Sequence, residues 1–386
     1  MARLRVAIAY DCLYPVNTGG GERVYRRMAE LLVERGHHVD YLTRRQWEGE
    51  APHAPFRIVP VWTGTIYDDT GGRLTRAAVG FAGALFAHLR RHRGEYDLVI
   101  VSALPVLNVF GAWAALLGSR THIVSDWLEV WSWRKWREYS GVLVGSVAFL
   151  LQFAGLRMAD DMTVNSAFTG ARVRRYRRRS RPLVLGLLDL AGTPGNAGTV
   201  PVDPGLALFA GRHIPDKQLT KLPAALAFVR RSRGDVRLVI AGSGPETPRL
   251  RDAVTASGVG DAVVIAGRVD DAELDRLMAS AAVLVNPSRR EGFGLVVAEA
   301  AAGGTPSVVV AGQDNAAAEL VHDGVNGFIA RSASAADLGS AILAALDGGE
   351  ALRESTLDWF ARARETQNLG RSVDELLARY DASRAR

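Results

Sequence analysis

The sequence predicts an α/β protein of two Rossmann-like domains, and three observations predict it. The chain has 386 residues, too many for one ordinary core and suited to two domains of about 150 to 200 residues each. Both halves alternate short apolar runs with amphipathic stretches, the pattern of strands and helices around a parallel sheet. Between Asp189 and Gly205 that pattern stops, and Pro and Gly punctuate a stretch with no apolar periodicity, which reads as the linker.

The first domain, residues 1–190, opens with the apolar run Leu4 to Ala9. A glycine turn follows at Gly19-Gly20-Gly21, then an amphipathic stretch from Glu22 to Arg35. Gly36 ends that helix and His38 to Thr43 reads as the next strand, giving a βαβ unit. Asp97 to Ser102 and Thr121 to Ser125 have the apolar centres of strands inside parallel sheets. The second domain, residues 203–356, restarts the pattern with Leu206 to Ala210, Val236 to Ala241, Ala262 to Ala266, Ala282 to Val285 and Ser307 to Val310.

Hydrophobic residues are 48% and charged residues 23%, close enough to globular averages to exclude disordered and fibrous classes. Cys12 is the single cysteine, so no intramolecular disulfide is expected. The apolar run before Asp11 is too short for a signal peptide, and the expected location is the cytoplasm. The net charge of +6 fits nucleic acid, an anionic membrane surface or an arginine-rich proteome. Neither zinc-finger spacing nor an aromatic RNP-type strand accompanies the arginines, so no nucleic-acid partner is expected.

Three stretches bear on a membrane. Seven of the ten residues Arg172 to Arg181 are arginine, which is either a solvated helix end or a patch for anionic lipid or an acidic partner. Gly141 to Leu156 is apolar but shorter than the roughly 20 residues of a spanning helix, and Gln152 interrupts it. It reads as a buried or interfacial helix. Arg73 to Arg93 mixes basic ends with apolar residues at helical spacing, as a lipid-surface helix or an ordinary packing helix would. Peripheral contact at the inner face of a membrane therefore stands as an open alternative, and oligomeric state is undetermined.

The chemistry-bearing residues lie at predicted strand-to-helix turns of the second domain. Glu299 is placed to accept hydrogen bonds from the vicinal hydroxyls of a ribose. Glu291 lies eight residues earlier, slightly over two turns if the helix extends that far back, which would aim both carboxylates at one crevice. Between them, Gly292 and Gly294 let the backbone approach an anion. Gly211-Arg212-His-Ile-Pro-Asp-Lys217 brings a guanidinium and an ammonium to the end of another strand, where both can bind a diphosphate. Their charge would serve a leaving group without a metal, and since no Asp-x-Asp motif occurs in the chain, metal independence is expected.

Glu291-x7-Glu299 around Gly-Phe-Gly, with Arg212-x4-Lys217 upstream, resembles family 4 of the retaining glycosyltransferases with the GT-B fold. Tyr14-Pro-Val-Asn-Thr-Gly-Gly-Gly-Glu-Arg-Val, Ala241-Gly-Ser-Gly-Pro-Glu246 and Glu319 to Phe328 resemble further signatures of that family, so the likeness covers nearly the whole chain. The resemblance implies transfer of a hexose from a UDP- or GDP-linked sugar, as co-substrate with no resident cofactor, to an acceptor hydroxyl of a glycolipid, polysaccharide or natural product. It implies diphosphate contacts for Arg212 and Lys217, sugar contacts for Glu291, and a ribose contact for Glu299. It also implies donor contacts from Gly20, Gly21, Gly242, Gly292 and the amides of Phe293, Gly294 and Leu295. The first domain would take the acceptor, the second the donor, and the stretch from about 357 to 386 would cross back onto the first.

Two departures stand out. Many members carry a histidine where this chain has Asp126, which would bind a sugar hydroxyl, receive the acceptor's proton, or make a structural hydrogen bond at a strand end. His122 reads as a packed residue. Gly186-Leu187 replaces the usual Asn-Gly. Rival readings are a nicotinamide dehydrogenase, a nucleotide-sugar epimerase or phosphorylase on the same fold, and a non-catalytic partner subunit. Asp40 suits the first, but Val24 and Thr247 stand where a third fingerprint glycine belongs.

Overall fold

The computed structural model describes residues 3–66, 74–192 and 200–385. It divides into two compact units, Met1–Gly186 with Asn368–Arg386, and Leu187–Gln367.

The first unit is built on seven parallel strands: β1 (Arg5–Ala9), β2 (His38–Arg45), β3 (Arg57–Thr63), β4 (Leu98–Ser102), β5 (His122–Trp127), β6 (Asp161–Val164) and β7 (Leu183–Val184). They are ordered β3-β2-β1-β4-β5-β6-β7. All five residues of β4 are buried, as a central strand covered on both faces requires. Its helices are α1 (Gly20–Glu34), α2 (Thr75–Arg91), α3 (Leu107–Leu116), α4 (Trp133–Ser140), α5 (Val142–Gly155) and α6 (Ala167–Tyr176). Helix α1 begins at Gly20, two residues before the expected start, so the glycine turn is itself the helix N-terminus. A Cβ on Gly21 would come within 3.0 Å of the Tyr10 hydroxyl, so a larger residue there would have to push Tyr10 aside.

The second unit carries β8 (Asp203–Ala210), β9 (Arg237–Ala241), β10 (Val263–Gly267), β11 (Ala281–Asn286), the two-residue β12 (Arg290–Glu291), β13 (Ser307–Val310), the two-residue β14 (Asp314–Asn315) and β15 (Gly327–Ala330). Its sheet runs β10-β9-β8-β11-β13-β15, while β12 pairs only with β14. Alternate residues enter opposite cores: Phe209, Val283, Val285 and Val308 in one, Leu208, Leu284 and Val309 in the other, the period of two that a strand dictates. Helices α7 (Leu222–Val229), α8 (Thr247–Ala256), α9 (Asp271–Ser280), α10 (Leu295–Ala302), α11 (Ala335–Asp347) and α12 (Gly349–Thr366) complete the unit.

Helix α13 (Leu369–Arg384) returns to the first unit. Arg35 grips Asp374 through two nitrogens at 2.5 and 3.0 Å, Gly186 N donates to Ser372 Oγ at 2.8 Å, and Tyr380 meets His122 edge-on at 5.7 Å. His122 is thus a packed residue.

The expected boundaries shift in two places. The return begins at Asn368 and not near 357, because α12 buries Phe360 in the second unit's core. Arg353 on the same helix donates to the carbonyls of Ala279, Ala281 and Gly303, which end the neighbouring helices. The linker also shortens: Leu188–Ala191 forms a 3-10 turn and β8 starts at Asp203, while residues 193–199 lie outside the described residues. Six strands, β3, β6, β7, β12, β14 and β15, were not expected. The first carries Pro60, tolerated because β3 is an edge strand, and the others have four residues or fewer.

The two apolar helices part ways. Phe81, Leu85 and Leu89 of α2 are fully buried, so α2 is a packing helix over its described residues. Helix α5 buries only Gly145, Gln152 and Gly155, which overturns the expectation of a buried helix. No described helix is long and apolar enough to cross a membrane.

Candidate functional site

In the second unit β8 and β11 are sequence-distant neighbours where the strand order reverses. In open α/β sheets ligands bind outside the carboxyl ends of strands at such a switch point. Gly211-Arg212 leaves β8 there and Asn286 ends β11.

The loop after β8 is locked against the loop after β9. Gly211 N donates to Ala241 O at 3.0 Å, His213 N to Ser243 O at 2.9 Å and Glu246 N to His213 O at 3.0 Å. This approach requires glycine at 242, where φ is +130° and a Cβ would lie 1.9 Å from Gly211 O. His213 is fully buried, its Nδ1 2.8 Å from Thr247 Oγ1, and burial lowers its pKa.

Asp216 ties this loop to the one after β11. Its carboxylate pairs with Arg289 at 2.8 Å and Arg290 at 3.1 Å, and its carbonyl accepts from Arg289 N at 2.8 Å. The result delivers Lys217 to Glu291: Lys217 Nζ donates to Glu291 Oε1, which also accepts from Asn286 Nδ2 at 3.2 Å and Ser288 Oγ at 2.9 Å. Both members of the ion pair keep partial exposure, 17% for Lys217 and 13% for Glu291, so a ligand can reach them. Asn315 Nδ2 donates to Ser288 O at 3.1 Å and Val310 O at 2.8 Å, securing the loop from below. Arg212 is exposed beside these residues in the chain.

Helix α10 follows at once. Its N-cap Gly294 is left-handed at φ +97°, and a Cβ there would stand 2.6 Å from Ala317 Cβ. Val297 N already donates to Gly294 O at 2.9 Å, while the amides of Leu295 and Val296 precede any carbonyl of the helix that could accept from them, the arrangement that binds anions. Phe293 packs on the core below and Glu299 is half-buried one turn into α10. Glu291 lies in β12 and not on a backward extension of α10, so the expected helical spacing between the two glutamates is corrected. They belong to separate elements.

The structure therefore places Arg212, Lys217, Gly242, Glu291, Gly292, Phe293, Gly294, Leu295 and Glu299 in the second unit, on the segments that follow β8, β9 and β11. Gly20, Gly21 and Asp126 belong to the first. Asp126 is fully buried: Tyr25 donates to Oδ2 at 2.5 Å and Thr163 to Oδ1 at 2.6 Å. Burial raises its pKa, and the bonds from Thr163 and Tyr25 pull it partway back. With both oxygens occupied and no exposed surface, Asp126 joins α1 to β5 and β6. The expectation that it meets sugar or acceptor is corrected.

Sequence reasoning assigned no role to Asn286, Ser288, Asn315 and Asp216, which position Glu291 and Lys217. A buried Asn-Pro-Ser at a strand end was the available signal. Among the described residues no group of three or more His, Cys, Asp or Glu could hold a metal ion.

Two parallel-sheet Rossmann-like units of this kind define the GT-B class. The whole chain resembles sucrose-phosphate synthase from Thermosynechococcus elongatus, with a TM-score of 0.81 and 22% identity over 99% of this chain and 100% of that one. It also resembles Anabaena Alr3699/HepE in complex with UDP and glucose, with a TM-score of 0.68 and 17% identity over 98% and 100%. The model of glycosyl transferases group 1 matches residues 196–365, and that of the glycosyl transferase 4-like domain matches residues 19–186. The chain belongs to this glycosyltransferase family. Glycogen synthase of Mycobacterium tuberculosis is 34% identical over 258 residues, 65% of this chain and 55% of that one, so the match spans little more than half of that relative.

Proposed function

We propose that the chain transfers a hexose-type sugar, with retention of anomeric configuration, from a nucleoside-diphosphate sugar to an acceptor hydroxyl. The observation that carries this reading is the Lys217–Glu291 pair at the β8/β11 switch point, beside the open N-terminus of α10. A diphosphate arriving there meets the charges of Lys217 and Arg212 and the amides of α10. Lys217 would then exchange part of its bond to Glu291 for phosphate oxygens, leaving Glu291 to accept from donor sugar hydroxyls. Glu299 is assigned to the ribose.

Positive charge at the leaving diphosphate stabilises the transition state as the glycosidic bond lengthens. Retention follows if the acceptor attacks the face the diphosphate leaves, with the departing phosphate taking its proton and no enzymic nucleophile. Arg212 and Lys217 together offset that charge, so the transfer is assigned to the protein's own cations and activity should survive a chelator. That the Anabaena relative is complexed with UDP and glucose makes a nucleotide-sugar donor the first to test. Thermal-shift screening against UDP, GDP and their sugars, then mass analysis of products with candidate acceptors, tests the reading. Stabilisation by a nucleoside diphosphate and a hexose-sized mass gain are expected; no stabilisation by any sugar nucleotide would refute it.

A further inference from the structure

The α4–α5 hairpin of the first unit is inverted relative to a helix of a water-soluble surface. Helix α5 faces its neighbours with Gly145, Gln152 and Gly155. A Cβ on Gly145 would meet the Trp136 carbonyl at 2.4 Å, and one on Gly155 would meet Val106 at 2.7 Å, so the small residues permit the close packing. Gln152 pins the hairpin, accepting from Trp131 N at 2.9 Å and Trp136 Nε1 at 3.1 Å and donating to Trp131 O at 2.8 Å. The large apolar residues consequently point out: Leu143 is 83% exposed, Val144 64%, Val147 57% and Leu150 62%. Trp133 and Tyr139 of α4 are exposed as well. Single exposed apolar residues are ordinary, but a contiguous patch on one hairpin marks a surface that leaves water.

Cations border the patch. The Arg157 guanidinium lies 3.7 Å from the centre of the Phe153 ring and donates to Tyr176 O at 2.7 Å. Phe149 meets Tyr176 at 5.6 Å, and Arg177 donates to Leu156 O at 2.9 Å. These contacts bring the end of α6, and with it the arginine run Arg172 to Arg181, against the C-terminal half of α5. Arg174, Arg175, Arg178, Arg179 and Arg181 are exposed. Residues 133–181 hold eleven Lys and Arg against three Asp and Glu.

We propose that this hairpin docks the protein on a bilayer containing anionic lipid, with α5 lying in the interface plane. An apolar helix face beside arginines is the arrangement that buries side chains at the level of the acyl chains while cations meet anionic headgroups. At 14 residues, α5 is too short to span and suited to lie flat. A second copy of the chain is the poorer occupant. Pairing across a two-fold axis sets the same patch against itself, and with only three Asp and Glu in residues 133–181 it offers the arginine run few acidic partners.

Co-flotation of the full chain with vesicles tests this. Wild type should float with phosphatidylcholine vesicles containing phosphatidylglycerol and much less with phosphatidylcholine alone. The double variant Leu143→Asp/Leu150→Asp and the charge variant Arg178→Glu/Arg179→Glu should each weaken flotation about ten-fold or more. Both pairs are exposed, so their melting temperatures should match wild type, and that measurement separates lost docking from lost folding. Absence of flotation, flotation indifferent to anionic lipid, or folded variants that float like wild type would overturn the proposal. So would a dimer in light scattering that Leu143→Asp/Leu150→Asp dissolves while vesicles recruit nothing.

Discussion

Glu291 and Asp126 are both carboxylates near the carboxyl ends of sheet strands, one in each unit, and the fold treats them oppositely. Glu291 sits in a two-residue strand beyond β11, partly exposed, and is paired with a cation. Asp126 lies within β5, fully buried, and takes a hydroxyl donor on each carboxylate oxygen. A charged group that is paired and reachable can exchange its partner for a ligand. One whose oxygens are filled by neighbouring hydroxyls holds the structure together and stays out of the chemistry. Position at a strand end is thus insufficient; access and the type of partner separate a site from a strut.

The comparison can be broken most directly at the ion pair. Glu291→Ala and Lys217→Ala should each lower transfer by about 10²- to 10³-fold, the usual loss of a group that stabilises developing charge. Calorimetric titration should show Lys217→Ala weakening nucleoside diphosphate binding more than Glu291→Ala does; equal binding losses would undo the division between diphosphate and sugar. Gly294→Ala combines a left-handed backbone with a clash on Ala317 and should cost roughly 2 to 4 kcal/mol in chemical unfolding, along with donor affinity.

Asp126→Ala should instead act on stability, by about 1 to 3 kcal/mol, because it strands the buried hydroxyls of Tyr25 and Thr163. Activity per folded molecule should persist, and its loss would return Asp126 to the site. The pH dependence sharpens the same point. Since the folded-state pKa of Asp126 is raised, by burial first, its contribution to stability is fully present below the unfolded value of about 3.9. It is lost as pH rises through the folded value. Asp126→Asn should therefore flatten that part of the stability profile measured by denaturant unfolding. Glu299→Ala should have the smallest effect, about ten-fold weaker nucleoside diphosphate binding from lost ribose hydrogen bonds, with little change in the turnover of bound donor.

Glu291, Lys217, Arg212 and Gly294 were legible in the sequence because their signal is local: a cation or glycine a fixed distance past an apolar run. The residues that aim them were not. Asp216 pairs with Arg289 and Arg290 more than seventy residues away, and such pairs leave no spacing to read. Asp126 was misread for the converse reason, since a strand-end carboxylate looks the same whether its neighbours expose it or fill its hydrogen bonds.

The sequence by itself determined the class of fold, the strands with apolar centres, the glycine turns and the cationic and acidic residues of the candidate site. These follow from period, turn chemistry and charge, all properties of short segments. Tertiary structure alone decided which unit each terminal helix joins, because amphipathicity marks an apolar face without naming its partner: α12 serves the second unit and α13 the first. It alone decided which way α5 faces. The stretch from Gly141 to Leu156 is apolar apart from Ser146 and Gln152, and the packing of Gly145 and Gly155 with the hydrogen bonds of Gln152 turns its leucines and valines toward solvent.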